Sequence, residues 1–161
     1  KILVYGLGDI GQSTARSCAK YLSSHAITIM NRTESVADEL ANEIQVEKAA
    51  HNDLMNKVKE SDIVIVATGA SNPTVTPDMI SDKKNQLIID LSIPRNADPE
   101  INRKENINMI DVIHGGVGTL RTTNIHSILP NTDARSSRSF GVAGCHASNR
   151  VANRVNTLFL Y

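Results

Sequence analysis

Tryptophan is absent from the 161 residues, and aromatic side chains make up only 3% of them. The stacked-ring platforms that hold single-stranded nucleic acid are therefore not expected. Neither sign of charge is in excess, since 17 Lys and Arg balance 17 Asp and Glu. A surface built for phosphate backbones or anionic lipid needs a basic surplus, and the sequence excludes that as its general character. The two cysteines, Cys18 and Cys145, have no metal or disulfide-framework spacing, so reduced thiols and a cytoplasmic setting are expected. No apolar run approaches the ~20 residues that cross a bilayer. Among the histidines, His25 and His51 are expected to face solvent, and His114 and His126 are too scattered to suggest a metal; none is expected. Lys1 to Tyr5 carry no signal-peptide pattern. The chain opens inside a strand and without an initiator methionine, so it is expected to be a piece of something longer.

What is present is an alternation of short apolar runs with helical spacing. Ile2-Leu3-Val4-Tyr5 reads as a strand buried on both faces. Residues 9–23 follow with Ile10, Thr14, Cys18 and Leu22 on one helical stripe. Residues 26–30 form a second strand. Thr33 is a good N-cap for a helix that places Val36, Ala37, Leu40 and Ile44 on one side. Val46 marks a short third strand, and residues 51–59 a further helix. Ile63-Val64-Ile65-Val66 is the strongest strand. Thr76-Pro77 opens a short helix, with proline at its first position. The Lys83-Lys84 pair is expected at a helix end, where positive charge suits the dipole. Residues 87–91 and 107–110 are the last strands. This order predicts an α/β fold, a doubly wound parallel sheet of the Rossmann kind with helices on both faces, through about residue 112.

Residues 113–161 read differently. Residues 1–112 hold eight lysines and seven glutamates, and the remainder holds none of either. The expected division is a nucleotide-binding domain over 1–112 and an atypical segment over 113–161. In that segment Gly115, Gly116 and Gly118 mark a flexible turn, and two expectations stand together: a terminal helix over residues 150–161, or a poorly ordered appendage.

Gly6-Leu7-Gly8-Asp9-Ile10-Gly11 fits G-x-G-x-x-G and lies where that pattern has physical meaning, between the first strand and the first helix. Gly6 permits the tight turn, Gly8 lets backbone approach a diphosphate, and Gly11 lets the helix pack closely. Free N–H groups and the helix dipole then favour the phosphates. An NAD site needs an acid at the end of the second strand to hold the ribose 2′-hydroxyl. Here that strand ends Met30-Asn31-Arg32-Thr33. A guanidinium there suits a 2′-phosphate, with neutral hydrogen bonds from Asn31 and Thr33, so NADPH is the expected cofactor. Thr68-Gly69-Ala70 follows the fourth strand, where Gly69 would let backbone pass the nicotinamide ribose. Pro94 stiffens the loop after the fifth, and Arg95 suits a salt bridge and a ligand contact equally well.

Taken together, these residues resemble the NADPH-binding domain of the glutamyl-tRNA reductase family. The resemblance runs from Lys1 to about Val112. It rests on Gly6 to Gly11, on Asn31-Arg32-Thr33, on Ser61-Asp62-Ile63-Val64 leading to Thr68-Gly69-Ala70, and on Asn106 to Asp111. Above all it rests on Ile89-Asp90-Leu91-Ser92-Ile93-Pro94-Arg95-Asn96-Ala97-Asp98-Pro99. It implies an oxidoreductase of tetrapyrrole (porphyrin) biosynthesis, in which a cysteine on another domain takes the glutamyl group from glutamyl-tRNA as a thioester. NADPH held by the present domain then reduces it to glutamate-1-semialdehyde. No catalytic residue is expected on this chain, which alone is expected to be inactive; Cys18 lies on an apolar stripe and is expected to pack. The tRNA would be contacted mainly by other domains. The family is homodimeric, but its dimerisation helix is not recognisable in residues 113–161. Two alternatives stand beside this reading: a shikimate dehydrogenase-like NADP domain, against which the Asp90 to Pro99 segment speaks, and a non-catalytic nucleotide-sensing module, which would keep an acid where Arg32 stands.

Overall fold

The computed structural model describes residues 1–22 and 26–112. The expectations placed on His25, His114, His126, Cys145 and the whole of 113–161 lie outside the described residues. Six strands form one parallel sheet: β1 (Ile2–Tyr5), β2 (Ile27–Met30), β3 (Glu47–Lys48), β4 (Ile63–Val66), β5 (Gln86–Asp90) and β6 (Ile107–Asp111). Their order across the sheet is β3-β2-β1-β4-β5-β6, the doubly wound arrangement expected. Among the described residues three α-helices accompany them: α1 (Asp9–Tyr21), α2 (Glu34–Ile44) and α3 (Leu54–Glu60). Short 3₁₀ turns occupy His51–Asp53, Pro77–Met79 and Pro99–Arg103.

The strands are apolar throughout because both faces are covered. Successive side chains of a strand point to opposite faces, and β1 divides accordingly. Leu3 and Tyr5 join a core with Leu54 and Val58 of α3, Val64, Val66 and Ile88. Ile2 and Val4 join a second core with Ala15 and Cys18 of α1, Ala37 and Leu40 of α2, and Ile29, Ile65 and Ile89. β1 is central and wholly buried. The loops leaving β1 and β4 therefore open side by side at the point where the chain reverses its direction of winding, the place where open α/β sheets bind ligands.

Several local expectations need correction. α1 ends at Tyr21, and its buried positions are Gly11, Thr14, Ala15 and Cys18; Ile10 is 58% exposed. Gly11, next along the same turn, is buried, so the turn meets the sheet on its glycine side and leaves Ile10 outward. Thr33 holds the N-cap position of α2, but its side chain makes no capping bond. The third strand is Glu47–Lys48 and is exposed, an edge pairing with β2. The helix expected at Thr76-Pro77 is a single 3₁₀ turn. Lys83 and Lys84 end no helix of their own; instead the Lys84 ammonium donates to the Glu60 carbonyl and to Asp62, which places its charge at the carboxyl end of α3, where the dipole favours it.

That same helix end depends on a residue the hydrophobic pattern passes over. Gln86, at the start of β5, is fully buried. Its amide nitrogen donates to the carbonyls of Val58 and Ser61, both at 2.7 Å, and its oxygen accepts from Ser81 N–H at 2.9 Å. One side chain thus ties α3, the chain entering β4 and the chain entering β5. Replacing Gln86 with leucine should destabilise the fold by about 2–4 kcal/mol, because buried polar groups lose their partner. Urea denaturation measures this, and a loss under about 0.5 kcal/mol would contradict the role.

Candidate dinucleotide crevice

The four glycines at the carboxyl edge of the sheet fall into two kinds. Gly6 has φ +92°, and a Cβ there would lie 2.5 Å from the Ala67 carbonyl oxygen. At Gly11 a Cβ would lie 1.8 Å from the Gly6 carbonyl oxygen. These two are demanded by the fold itself: the turn after β1 presses against the loop after β4 and against α1. Gly8 and Gly69 differ. Nothing lies within 4 Å of the Cβ that either would carry, and neither has a positive φ. The space over them is open, and a glycine that the packing does not require fits a group that must come close to the backbone.

The remaining loop residues hold this shape. Leu7 is 3% exposed; its N–H donates to Asn31 Oδ1 at 3.1 Å, and its carbonyl accepts from Gln12 at 3.0 Å. Asn31 also donates to the Thr33 carbonyl at 3.1 Å. Leu7 and Asn31 thus clip the loop after β1 to the end of β2. Gly8 is the N-cap of α1, no side chain bonds there, and Asp9 lies exposed in the first turn. The first N–H groups of α1 have no side-chain cap and suit an anion.

Arg32 and Thr33 are both exposed just beyond β2. Three other arginines of the described residues are paired, Arg16 with Glu43, Arg95 with Asp111 and Arg103 with Glu100. Arg32 has no hydrogen bond or ion pair among the described residues. Its field does reach Tyr5. Burial pushes the Tyr5 phenol above its ordinary range, while Thr74 and the Arg32 guanidinium pull it back down. His51, expected in solvent, instead stacks on Tyr5 with ring centres 5.8 Å apart.

The loops after β4 and β5 are knotted together. Asp90 is fully buried; its Oδ1 accepts from Ser92 N–H at 2.9 Å, and its Oδ2 from Asn96 and Ala97 N–H, both at 2.7 Å. Ser92 Oγ accepts from Thr68 N–H at 3.1 Å, and the Asn96 amide donates to the Ala70 and Pro94 carbonyls. Three N–H donors on one carboxylate are charge-assisted bonds, roughly twice as strong as neutral ones. Thr68, Gly69 and Pro94 are positioned by this knot. Of the two roles expected for Arg95, the salt bridge is present, to Asp111 Oδ2 at 3.1 Å. Sequence spacing gave no hint of the Tyr5–His51 stack, and marked Asp90 only through a motif.

Cys18 is 2% exposed, and burial pushes its thiol up to about 11. It packs between α1 and the sheet. Among the described residues no three His, Cys, Asp or Glu gather as metal ligands, and no helix is long and apolar enough to cross a membrane.

Known proteins share this arrangement. The family model described as shikimate / quinate 5-dehydrogenase matches residues 1–113. The chain belongs to that family. Within this shikimate / quinate 5-dehydrogenase family stretch, it is 39% identical over 113 residues to a protein named glutamyl-tRNA reductase from Christiangramia forsetii, covering 70% of this chain and 27% of that one. The chain therefore spans about a quarter of the length of that relative. A solved glutamyl-tRNA reductase from Methanopyrus kandleri superposes with a TM-score of 0.60 at 27% identity, covering 70% of this chain and 30% of the other. The nucleotide-binding domain of glutamyl-tRNA reductase from Thermoplasma volcanium superposes at 0.52 and 25% identity, covering 67% and 72%.

Two outcomes follow from the geometry. Gly8→Ala should fold with stability changed by no more than about 1 kcal/mol, whereas Gly6→Ala should lose considerably more, through strain and overlap; paired thermal melts compare them, and equal losses would refute the distinction. A maleimide should leave Cys18 unmodified in the native chain at pH 8, where its thiolate fraction is about one in a thousand, and label it in urea. Peptide mass spectrometry reads the difference.

Proposed function

We propose that this chain is the NADPH-binding domain of a glutamyl-tRNA reductase and that its crevice seats the cofactor along the carboxyl edge of the sheet. The observation that carries the reading is the pairing of two unforced glycines, Gly8 and Gly69, with a free guanidinium at Arg32. The residues present fit the group: open backbone for a diphosphate, an uncapped helix start, and a cation where a 2′-phosphate would lie. When bound, NADPH supplies a hydride. Leu7 and Asn31 hold the loop in shape, the first N–H groups of α1 face the diphosphate, and Arg32 with Thr33 recognises the 2′-phosphate. Thr68 and Gly69, set by the Asp90 knot, line the nicotinamide half, with Pro94 beside them.

The family description names a dehydrogenase of different substrate, but the reductase match runs to the same length, 113 residues, so the description marks the domain and leaves the reaction open. The identity to the reductase and the Asp90 to Pro99 segment favour reduction of a glutamyl thioester, formed from glutamyl-tRNA on a cysteine elsewhere in the full enzyme. The tRNA and any dimer partner would be met mainly by those other parts. A cytoplasmic setting suits such a substrate.

Calorimetric titration tests the cofactor end. Arg32→Ala should weaken NADPH by about one to two orders of magnitude, the worth of hydrogen bonds to a charged group, and leave NADH within about twofold. Equal weakening of both would remove Arg32 from the 2′-phosphate.

A further inference from the structure

Gln12 follows the last glycine of the motif, and its half-buried side chain turns back on the loop that precedes it. Its Nε2 donates to the Leu7 carbonyl at 3.0 Å, and its Oε1 accepts from Arg16 Nη2 at 3.3 Å. A carbonyl only accepts and a guanidinium only donates. One orientation of the Gln12 amide therefore satisfies both neighbours, and the flipped one satisfies neither. Arg16 stands one helical turn further along α1, on the same face. It is held in turn from α2, where its Nε and Nη2 fork onto the two carboxylate oxygens of Glu43, both at 2.7 Å.

Arg16 and Glu43 are both exposed, and an exposed ion pair contributes little to stability. Its effect is on orientation. The fork fixes the plane of the guanidinium, and the second N–H of Nη2 is left for Gln12. Hydrogen bonding from Arg16 holds the Glu43 carboxyl below its ordinary range, so the fork is charged at neutral pH.

The consequence falls on one peptide. In a trans peptide the carbonyl and the following N–H point in opposite directions. By fixing the Leu7 carbonyl, Gln12 turns the Gly8 N–H away from itself. The bond from Asn31 cannot do this, because it holds the Leu7 N–H, which belongs to the preceding peptide. Gly8 has no Cβ to resist rotation of the Leu7–Gly8 peptide, and nothing lies within 4 Å of where one would stand. The amide of Gln12 is the restraint that keeps this peptide from turning over.

We propose that Glu43, Arg16 and Gln12 form a relay across two helices that locks the Leu7–Gly8 peptide, with Arg16 the positioning residue that sets the Gln12 amide. The inference rests on the NADPH reading above, in which the Gly8 backbone meets the diphosphate. It makes cofactor affinity depend on an ion pair on the outer surface of α1 and α2.

The test uses the 161-residue chain and two probes: NADPH, and adenosine 2′-monophosphate, which lacks the diphosphate. Arg16→Met should weaken NADPH about threefold and Gln12→Met about fivefold, the worth of single hydrogen bonds. Adenosine 2′-monophosphate should bind all variants alike, which also controls for folding. The double variant should match Gln12→Met alone, because Arg16 acts through Gln12. Glu43→Gln should weaken NADPH about twofold, although losing a negative charge would by attraction alone tighten an anionic ligand. Arg103→Met, which breaks another exposed pair, should leave NADPH binding unchanged. In the ligand-free chain, the Gly8 amide resonance should shift or broaden in Arg16→Met. The relay is overturned if Arg16→Met weakens NADPH by the same factor with and without Gln12, if Glu43→Gln tightens it, or if both probes weaken alike. An unmoved Gly8 resonance would overturn the lock whatever the cofactor, whereas a failure of the unaltered chain to bind NADPH would remove the cofactor reading itself.

Discussion

The near-contact of three backbone segments governs this structure: Gly6 against the Ala67 carbonyl, and Gly11 against the Gly6 carbonyl. A side chain at either place would push the turn after β1 away from the loop after β4, or lift α1 off the sheet. Because neither is present, the chain leaves β1, turns once and starts α1 with its first amide groups over the switch point of the sheet. Everything proposed for the crevice follows from that position. The open ground over Gly8 and Gly69 is a consequence, since the backbone is held close by other residues and these two are left bare.

A second constraint works from the other side. The loop after β5 would be free to wander without Asp90, whose buried carboxylate collects three backbone N–H groups. Through Ser92 and Asn96 the same knot reaches the loop after β4. The carboxyl edge therefore has two rigid banks, one set by glycine packing and one by a buried charge satisfied by amides. Such an edge is preorganised, so little ordering free energy is lost when a ligand arrives.

The sequence disclosed the architecture well, because strands buried on both faces leave an unmistakable trace: uninterrupted apolar runs separated by helical spacing. Strand order followed from handedness, and all six strands were foreseen within a residue or two. Polar side chains that act at a distance were less legible. Gln86 reads as the residue before a strand, yet it holds three chain segments at once. Lys84 was matched to the right physical effect on the wrong helix, because the end of α3 it serves lies 24 residues earlier. His51 was assigned to solvent because nothing local says that Tyr5 lies beneath it. Ile10 was counted with the core by spacing alone, which cannot register that Gly11 takes the buried side of that turn. At the crevice, the bond by which Asn31 clips Leu7 left no trace in the spacing. Local propensity and periodicity report burial, whereas side-chain bonds between loops are a tertiary property.

The central claim is that the bare backbone between Gly6 and Gly11 and at Gly69 exists to receive a dinucleotide. A crystal structure of this chain with NADPH tests it directly. The account predicts the diphosphate against the Gly8 backbone at the start of α1, the 2′-phosphate at Arg32 and the nicotinamide beyond Gly69. Density for the dinucleotide at another surface, with that crevice empty, would contradict it.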